Sequence, residues 1–430
     1  MSWDFQTEPE FEAKLAWMRQ FMREEVWPLE VVVGEFQREP FIRLLGSLQA
    51  EVKRRGLWAT HLPPELGGQG MGQVRLALMH EVEGSSMWGP IVFGNNAPDT
   101  GNSEVLAHFG TTAQKLRWLQ PLLEGRIRSG FSMTEPENAG SDPTVLSTTA
   151  RLDGDEWVIN GHKWFTTNGL VADLLVVMAT TDAGAEPHRR ASMFLVSGDS
   201  PGVRKVRNVP VLGGEEHWGF GHAELYYDDV RLPRESILGA PGDGFRIAQA
   251  RLGPGRIHHC MRWLGQSRRA FDIMCERALQ REVGGEPLAS RQTVQNWIAD
   301  SAAEMQAARL MTLHAAWVID TSGVEAARKE ISLIKYFGAR VLHDVIDRAI
   351  QVCGGLGYSS DLPLEQMYRA ARGARLYDGA DEVHRQTVAR LVLRDYRTPE
   401  GPWPTDHVPS RREAAREKFA AYLVEATANS

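Results

Sequence analysis

What the chain lacks narrows its class first. Only three cysteines occur in 430 residues, and Cys260, Cys275 and Cys353 are widely spaced without a C-x-x-C pair. Neither a disulfide framework nor a thiolate zinc site is indicated, and the usage fits a reducing compartment. No stretch approaches the roughly 20 apolar residues that a membrane helix needs. Basic charge is not in excess: 48 Lys and Arg face 55 Asp and Glu, for a net charge of −7. That balance favours neither nucleic acid nor an anionic membrane as a general partner. No G-x-G-x-x-G follows an expected strand and no phosphate loop ending in Gly-Lys-Ser/Thr occurs, which argues against Rossmann and P-loop sites. The start, Met1-Ser-Trp-Asp-Phe-Gln, runs into acidic residues without the basic and apolar regions of a signal peptide. A cytoplasmic location is the expectation.

What is present is a normal soluble mixture, 43% hydrophobic and 24% charged, in a chain long enough for two or three domains. Phe11, Leu15, Met18, Phe21 and Met22 recur at helical spacing, as do Phe41, Leu44, Leu45 and Leu48 after Pro40. Leu62–Gly70, rich in Pro and Gly, reads as a loop, and the apolar-periodic run Ala113–Leu123 stops at Gly125. From Gly130 to about Gly239 short β-rich runs take over. Asp153-Gly154 between Thr148–Leu152 and Trp157–Asn160 marks a hairpin. Leu174–Ala179 and Met193–Val196 read as buried strands, and Ala223–Val230 partly alternates before Pro233. Past Gly244 the chain turns helical again, with expected helices over Ile257–Arg281, Leu288–Thr321 and Glu325–Cys353. Ile331, Ile334, Val341, Val345, Ala349 and Val352 share one face of the last of these. Pro399, Pro402, Pro404 and Pro409 mark a linker, and Ser410 with Glu413 suggests a capping box before a final helix. The fold class expected is α+β, mostly α: a helical domain over 1–125, a small β-sandwich or barrel over 126–240, a four-helix bundle over 241–396, and a linker with a terminal helix over 397–430.

Glycines cluster at Gly140-Ser-Asp, Gly213-Gly214 and Gly354-Gly-Leu-Gly357, each by itself a turn before it is a site. Their neighbours give them meaning. Phe131-Ser-Met-Thr-Glu-Pro-Glu-Asn-Ala-Gly-Ser-Asp142 resembles the T-E-P-x-x-G-S-D segment of the acyl-CoA dehydrogenase family. Asn160-Gly-His-Lys-Trp-Phe-Thr-Thr-Asn-Gly169 is similar to that family's G-x-K-x-W-I-T-N-G strand, with Phe165 where a flavin-packing Trp is common. A local shift would instead turn Trp164 inward. Arg281, Pro287-Leu288 and Gln292 resemble the segment that reaches the FAD pyrophosphate of a neighbouring subunit, although Gly284 replaces a usual Phe. Gln351-Val-Cys-Gly-Gly-Leu-Gly-Tyr358 matches a run whose glycines admit the adenosine half of FAD. The resemblance covers about Phe11 to Tyr396.

It implies FAD contacts from Phe131, Met133, Thr134, Gly140, Ser141, Phe165, Thr167, Arg281, Gln292, Gln351, Val352, Gly354, Gly355, Ala380 and Glu382. It implies substrate contacts from Ser141, Arg256, Tyr377 and Gly379, and no metal. His258 and His259 point about 100° apart on a helix and make a poor metal pair; they are read as structural or substrate-lining. Removing the α-proton of an acyl thioester needs a carboxylate. In Arg375-Leu-Tyr-Asp-Gly-Ala-Asp-Glu-Val-His-Arg385, Asp378 takes the place of the family's usual glutamate, as in the branch that carries Asp-Gly-x-Asp-Glu-Val-His. The aspartate loses roughly 1.5 Å of reach. On residue type alone Asp378 reads first as an N-cap, and Asp381 and Glu382 are acidic residues favoured at a helix start. Gly255 leaves no carboxylate for a base on the long helix.

The function implied is FAD-dependent α,β-dehydrogenation of an acyl-CoA in fatty acid metabolism, with an electron-transfer flavoprotein as acceptor. The assembly implied is a homodimer or homotetramer sharing FAD across its interface. Two alternatives stay open: an oxidase or monooxygenase of the same fold, and a flavin-containing DNA-binding protein. The net charge opposes the second, while Arg411, Arg412, Arg416 and Lys418 in the tail keep it in view.

Overall fold

The helical periodicities at either end and the β-rich middle appear in that order in the computed structural model, which describes residues 7–213 and 220–423. Met1–Gln6 and Gly214 of the Gly213-Gly214 pair lie outside the described residues. The longer helices before the sheet are α1 (Pro9–Phe21), α2 (Arg38–Arg54), α3 (Gln73–Glu83) and α4 (Asp99–Phe109). Those after it are α5 (Gly244–Gln280), α6 (Gln292–Ser322), α7 (Arg328–Cys353), α8 (Leu364–Ala374), α9 (Asp381–Leu393) and α10 (Val408–Lys418). Met1–Arg385 form one compact unit and Gln386–Ser430 a second. No helix among the described residues is long and apolar enough to cross a membrane.

The two helical regions are not separate bodies. Phe11, Leu15 and Met18 of α1 and Phe41 and Leu45 of α2 are buried in the same core as Met261 and Leu264 of α5 and Val341 and Val345 of α7. Close approach of α3 to α5 depends on two glycines. A Cβ at Gly84 would lie 2.3 Å from the Arg262 Cα, and one at Gly265 would lie 2.2 Å from the Glu81 carbonyl oxygen. The α5 helix also begins well before the expected Ile257 and continues through Pro254. An interior proline costs about 3 kcal/mol locally, and the buried face of this long helix, with Ile247, Ile257, Met261 and Leu264, offsets it.

The middle is one eight-stranded sheet: β1 (Ser129–Ser132), β2 (Thr149–Asp153), β3 (Glu156–Thr167), β4 (Leu174–Thr180), β5 (Ala191–Ser197), β6 (Val203–Asn208), β7 (His222–Pro233) and β8 (Ile237–Leu238). Its order is β6-β7-β3-β2-β4-β5-β8, with β1 parallel to β4. The Asp153-Gly154 hairpin joins β2 to β3 as the sequence suggests, pairing Asp153 with Glu156. The uninterrupted apolar run of β4 has a physical reason: both of its faces are buried. Leu174, Val176 and Met178 pack with Val105 and Leu106 of α4, whereas Leu175, Val177 and Ala179 pack with Phe194, Leu225 and Tyr227 inside the β-layer.

In the second unit, α10 begins at Val408 with His407 at its N-cap and Pro409 in its first turn. Ser410 therefore lies inside the helix, and its hydroxyl pairs with His407 Nδ1 at 2.7 Å. The capping box expected from Ser410 and Glu413 is not formed, because the proline sets the helix start earlier.

A buried ion pair ties the segment after β1 to β3. Lys163 Nζ donates to Glu135 Oε1 (2.9 Å) and to the Met133 carbonyl (2.8 Å), with the two side chains 0% and 1% exposed. Glu135 also accepts the backbone N–H groups of Ser147 and Thr148. For Glu135, burial is opposed and outweighed by Lys163 and these donors, which hold its carboxyl down at about 2. For Lys163, burial prevails over Glu135 and brings the ammonium down to about 8. Lys163→Met should lower stability by about 3–5 kcal/mol by stranding a buried carboxylate, as read from the denaturant midpoint. The Glu135 contribution is complete above its unfolded pKa of about 4.5 and fades as pH falls from there toward about 2. Glu135→Gln should flatten that acid limb of thermal stability.

Candidate active site

The Asp378 backbone sits at φ +54°, in the left-handed region that a non-glycine residue occupies at a cost of about 1–3 kcal/mol. Three side chains hold it there. Arg256 Nε donates to the Asp378 carbonyl at 3.0 Å, and His384 Nε2 lies 3.1 Å from the same oxygen. Lys335, fully buried on α7, donates from Nζ to the carbonyls of Ala374 (2.7 Å) and Gly379 (3.1 Å). Gly379, at φ +98°, is packed so closely that a Cβ would lie 2.7 Å from His384 Nε2. Aspartate is among the few residue types that tolerate this backbone region.

The Asp378 carboxylate turns toward α5, where Oδ2 lies 3.0 Å from His259 Nε2 and 21% of the side chain remains exposed. It does not cap α9, so the N-cap reading is set aside. Burial alone pushes Asp378 up. The His259 hydrogen bond and the charges of His259, Arg256 and Arg251 outweigh it and hold the carboxyl well below the usual range. His259 is itself shifted down, because burial outweighs the pull of Asp378. One state satisfies both directions: an anionic Asp378 accepting Nε2–H from a neutral imidazole. His384 is held down to about 4, chiefly by burial and then by Arg256, so it too donates as a neutral ring.

Aromatic side chains frame the pair. The His259 ring lies 6.1 Å from Trp263, interplanar 23°, and 5.3 Å from Tyr377. Trp263 Nε1 donates to the Tyr377 hydroxyl at 2.9 Å. The Tyr377 ring is partly open to solvent, whereas its bonded hydroxyl end is enclosed and its pKa is raised by burial. His258 points elsewhere, toward Gln73 Oε1 (3.2 Å) and the His80 ring (centroids 4.3 Å). Among the described residues no group of three or more His, Cys, Asp or Glu could hold a metal.

The expected flavin-facing residues gather around β1 and β3. The register of β3 slips against β7 between Lys163 and Thr166, which leaves Trp164 and Phe165 in a bulge. Phe165 takes φ +49° and is 41% exposed, while Trp164 Nε1 is buried without a hydrogen-bond partner. The aromatic plane offered outward is therefore Phe165, not Trp164. Trp164 N–H donates to the Thr134 carbonyl (3.1 Å), tying the segment to the bulge, and Thr167 Oγ1 pairs with His222 Nδ1 (3.0 Å) of β7. Met133, Thr134 and Gly140 line a recess of about 220 Å³. Ser141 lies at its exposed rim, and a Cβ on Gly140 would come within 3.1 Å of Thr134 Cγ2. A second recess, about 290 Å³, lies among Trp58, His61 and Asn96 and does not include Asp378.

Phe131 is covered by Arg251, whose guanidinium carbon lies 4.0 Å from the ring centroid and whose Nε donates to Asn102 Oδ1 (3.0 Å). Arg251, Lys335 and His384 carry no site expectation from sequence, and His259 only the open one of a structural or substrate-lining residue. The helical spacing of Arg251 and Arg256 with His259 was the available signal, but their partners Asn102 and Asp378 are remote in sequence.

Arg281 and Gly354 meet on another part of the unit. Gly354 adopts φ +62°, ψ −134°, and a Cβ there would lie 2.9 Å from Arg281 Nη1. Gln351 and Gly355 are exposed beside it, Val352 is buried in the core, and Gln292 is exposed at the start of α6. Ala380 accepts the N–H groups of Val383 and His384, and Glu382 is exposed in the first turn of α9. Among the described residues no hydrogen bond or ion pair links the Arg281 cluster to Phe131–Asp142. An exposed aromatic face beside a polar rim, and an arginine over a glycine that admits no side chain, fit the ring and pyrophosphate of a flavin dinucleotide.

The Asp378 carboxylate held against His259 and the recess of Met133, Thr134 and Gly140 are the two features offered as an active site. Comparison with known proteins makes the assignment specific. Residues 8–126, 130–230 and 242–393 match the acyl-CoA dehydrogenase N-terminal, middle and C-terminal domain models. A probable acyl-CoA dehydrogenase of Mycobacterium tuberculosis is 44% identical over 384 residues, covering 87% of this chain and 93% of that protein. Mouse acyl-CoA dehydrogenase family member 10 is 44% identical over 387 residues, which span 87% of this chain but 36% of that protein. The solved structure of a putative acyl-CoA dehydrogenase from Mycobacterium abscessus superposes with a TM-score of 0.86 at 41% identity, covering 91% of this chain and all of that one. The chain belongs to the acyl-CoA dehydrogenase family. It is an oxidoreductase with FAD as cofactor.

Gly354→Ala should cost about 1–3 kcal/mol through backbone strain and displace Arg281. The denaturant midpoint and the FAD retained on gel filtration should both fall, whereas Gly355→Ala, which meets open space, should leave both near native.

Proposed function

We propose that the protein dehydrogenates an acyl-CoA thioester between its α and β carbons, giving the trans-2-enoyl-CoA. The observation that carries this reading is Asp378: an ionised carboxylate, partly open to solvent, on a turn held by Arg256, Lys335 and His384. A base must be ionised before substrate arrives, and this one is. Asp378 takes the α-proton on the carboxylate, the α C–H pair becomes the new C=C bond, and the β-hydrogen leaves with its electron pair. FAD, when bound, supplies the acceptor for that hydride.

The remaining residues position and enclose. Phe165 offers an aromatic face, and Thr134 and Thr167 offer hydroxyls to the polar edge of the flavin ring. Ser141, Tyr377, Gly379 and the guanidinium end of Arg256 lie on the substrate side. Arg281, Gln292, Gln351, Gly354 and Gly355 receive the dinucleotide of a second subunit. A homodimer or homotetramer is the proposed assembly. An electron-transfer flavoprotein is the proposed acceptor.

The test is anaerobic addition of a panel of acyl-CoA thioesters to the yellow holoprotein, following loss of visible flavin absorbance. At least one thioester should bleach it, and reoxidation should pass electrons to a dye without forming peroxide. Asp378→Asn should keep its FAD and lose bleaching rate by about 10²–10⁴-fold. Near-native bleaching by that variant would remove Asp378 as the base.

A further inference from the structure

The same site carries an answer to the shortened side chain. A base one methylene shorter than glutamate is displaced by roughly 1.5 Å, enough to cost about a hundredfold in rate if nothing compensates. Two features here address that length. Asp378 is held at φ +54°, a region less suited to glutamate than to aspartate. Its Oδ2 already stands 3.0 Å from His259 Nε2. A carboxylate extended by a methylene along the same direction would run into the imidazole. The ring has little room to withdraw, because Trp263 and Tyr377 flank it and are hydrogen-bonded to each other.

We propose that His259 is a positioning residue that makes aspartate the working base of this site: it occupies the space a glutamate would need and orients the shorter carboxylate with one oxygen held and the other free. Oδ2 is held by Nε2–H, so the α-proton is received at Oδ1. The proposal rests on the dehydrogenase reading above. The groups facing the pair are Arg251, Arg256, His258, Cys260 and Arg262 of α5, Lys335 of α7, Tyr377, His384 of α9 and His80 of α3. Arg251, Arg256 and Lys335 favour an anionic Asp378, and His259 supplies the directional bond that the cations do not. Without it, burial of Asp378 is less opposed and its pKa rises, which moves the acid limb of the rate to higher pH.

The experiment uses the holoenzyme and one acyl-CoA that bleaches the native protein. His259→Val should lower the limiting rate of flavin reduction about 10- to 100-fold, with a smaller change in KM, and move the acid limb upward. His259→Gln, which keeps an amide N–H donor and does not titrate, should recover most of the rate and the native limb. Asp378→Glu should be nearly inactive in the native background and gain at least about tenfold when His259→Ala is added. Infrared difference spectra against Asp378→Asn give a readout independent of turnover: the protonated carboxyl band should appear at higher pH in His259→Val than in native protein. A native rate and acid limb in His259→Val, or an Asp378→Glu/His259→Ala variant no faster than Asp378→Glu, would overturn the proposal. If His259→Val fails to fold, the comparison of those two glutamate variants decides. Failure of every acyl-CoA to bleach the native protein would instead sink the dehydrogenase reading.

Discussion

The chemistry of this protein hangs on the turn that ends at Gly379. Its carbonyls point inward, and a buried carbonyl without a donor costs about 1–3 kcal/mol. Here Lys335 satisfies Ala374 and Gly379, and Arg256 and His384 satisfy Asp378. Arg256 serves a second purpose: after the His259 hydrogen bond, its charge and that of Arg251 help keep the carboxylate ionised in a place where burial would protonate it. Lys335 is on α7 and Arg256 on α5, so the proposed base is positioned by the packing of the helical core rather than by its own loop. That explains why the N- and C-terminal helices share one interior: α3 closes on α5 through Gly84 and Gly265, and α5 in turn presents His259.

The β-layer carries the complementary constraint. The proposed flavin contact is a partly exposed aromatic face beside hydroxyls, whereas an ordinary strand alternates its side chains into a core. The bulge at Trp164-Phe165 breaks the alternation and turns Phe165 out, while Lys163, one residue earlier, stays fully buried against Glu135. The buried pair is weak evidence of stability in itself. Its value is in geometry, because it ties Met133 and Glu135 to the residue that precedes the bulge.

Much of this was legible in sequence where the physics is local. The β4 run read as a buried strand because both its faces are covered, and Asp153-Gly154 read as a hairpin because its turn demands those residues. The segment Phe131–Asp142 carried the family resemblance that the domain matches established. Local reading failed where a distant partner decides. The helix expected from Ile257 begins already at Gly244 and runs through Pro254. Ser410 looked like a cap, yet Pro409 starts the helix earlier. His259 read as structural or substrate-lining, and nothing near it in sequence reveals that it meets Asp378. Whether Trp164 or Phe165 turns outward was equally illegible, since a one-residue slip reverses a strand's faces.

The central claim is that Asp378 removes the α-proton of an acyl thioester. Exchange of that proton tests it most directly: native holoprotein is held anaerobically in deuterium oxide with excess acyl-CoA, and the recovered thioester is weighed by mass spectrometry. The account predicts α-deuterium incorporation by native protein and its loss in Asp378→Asn with FAD still bound. Undiminished incorporation by that variant would contradict it.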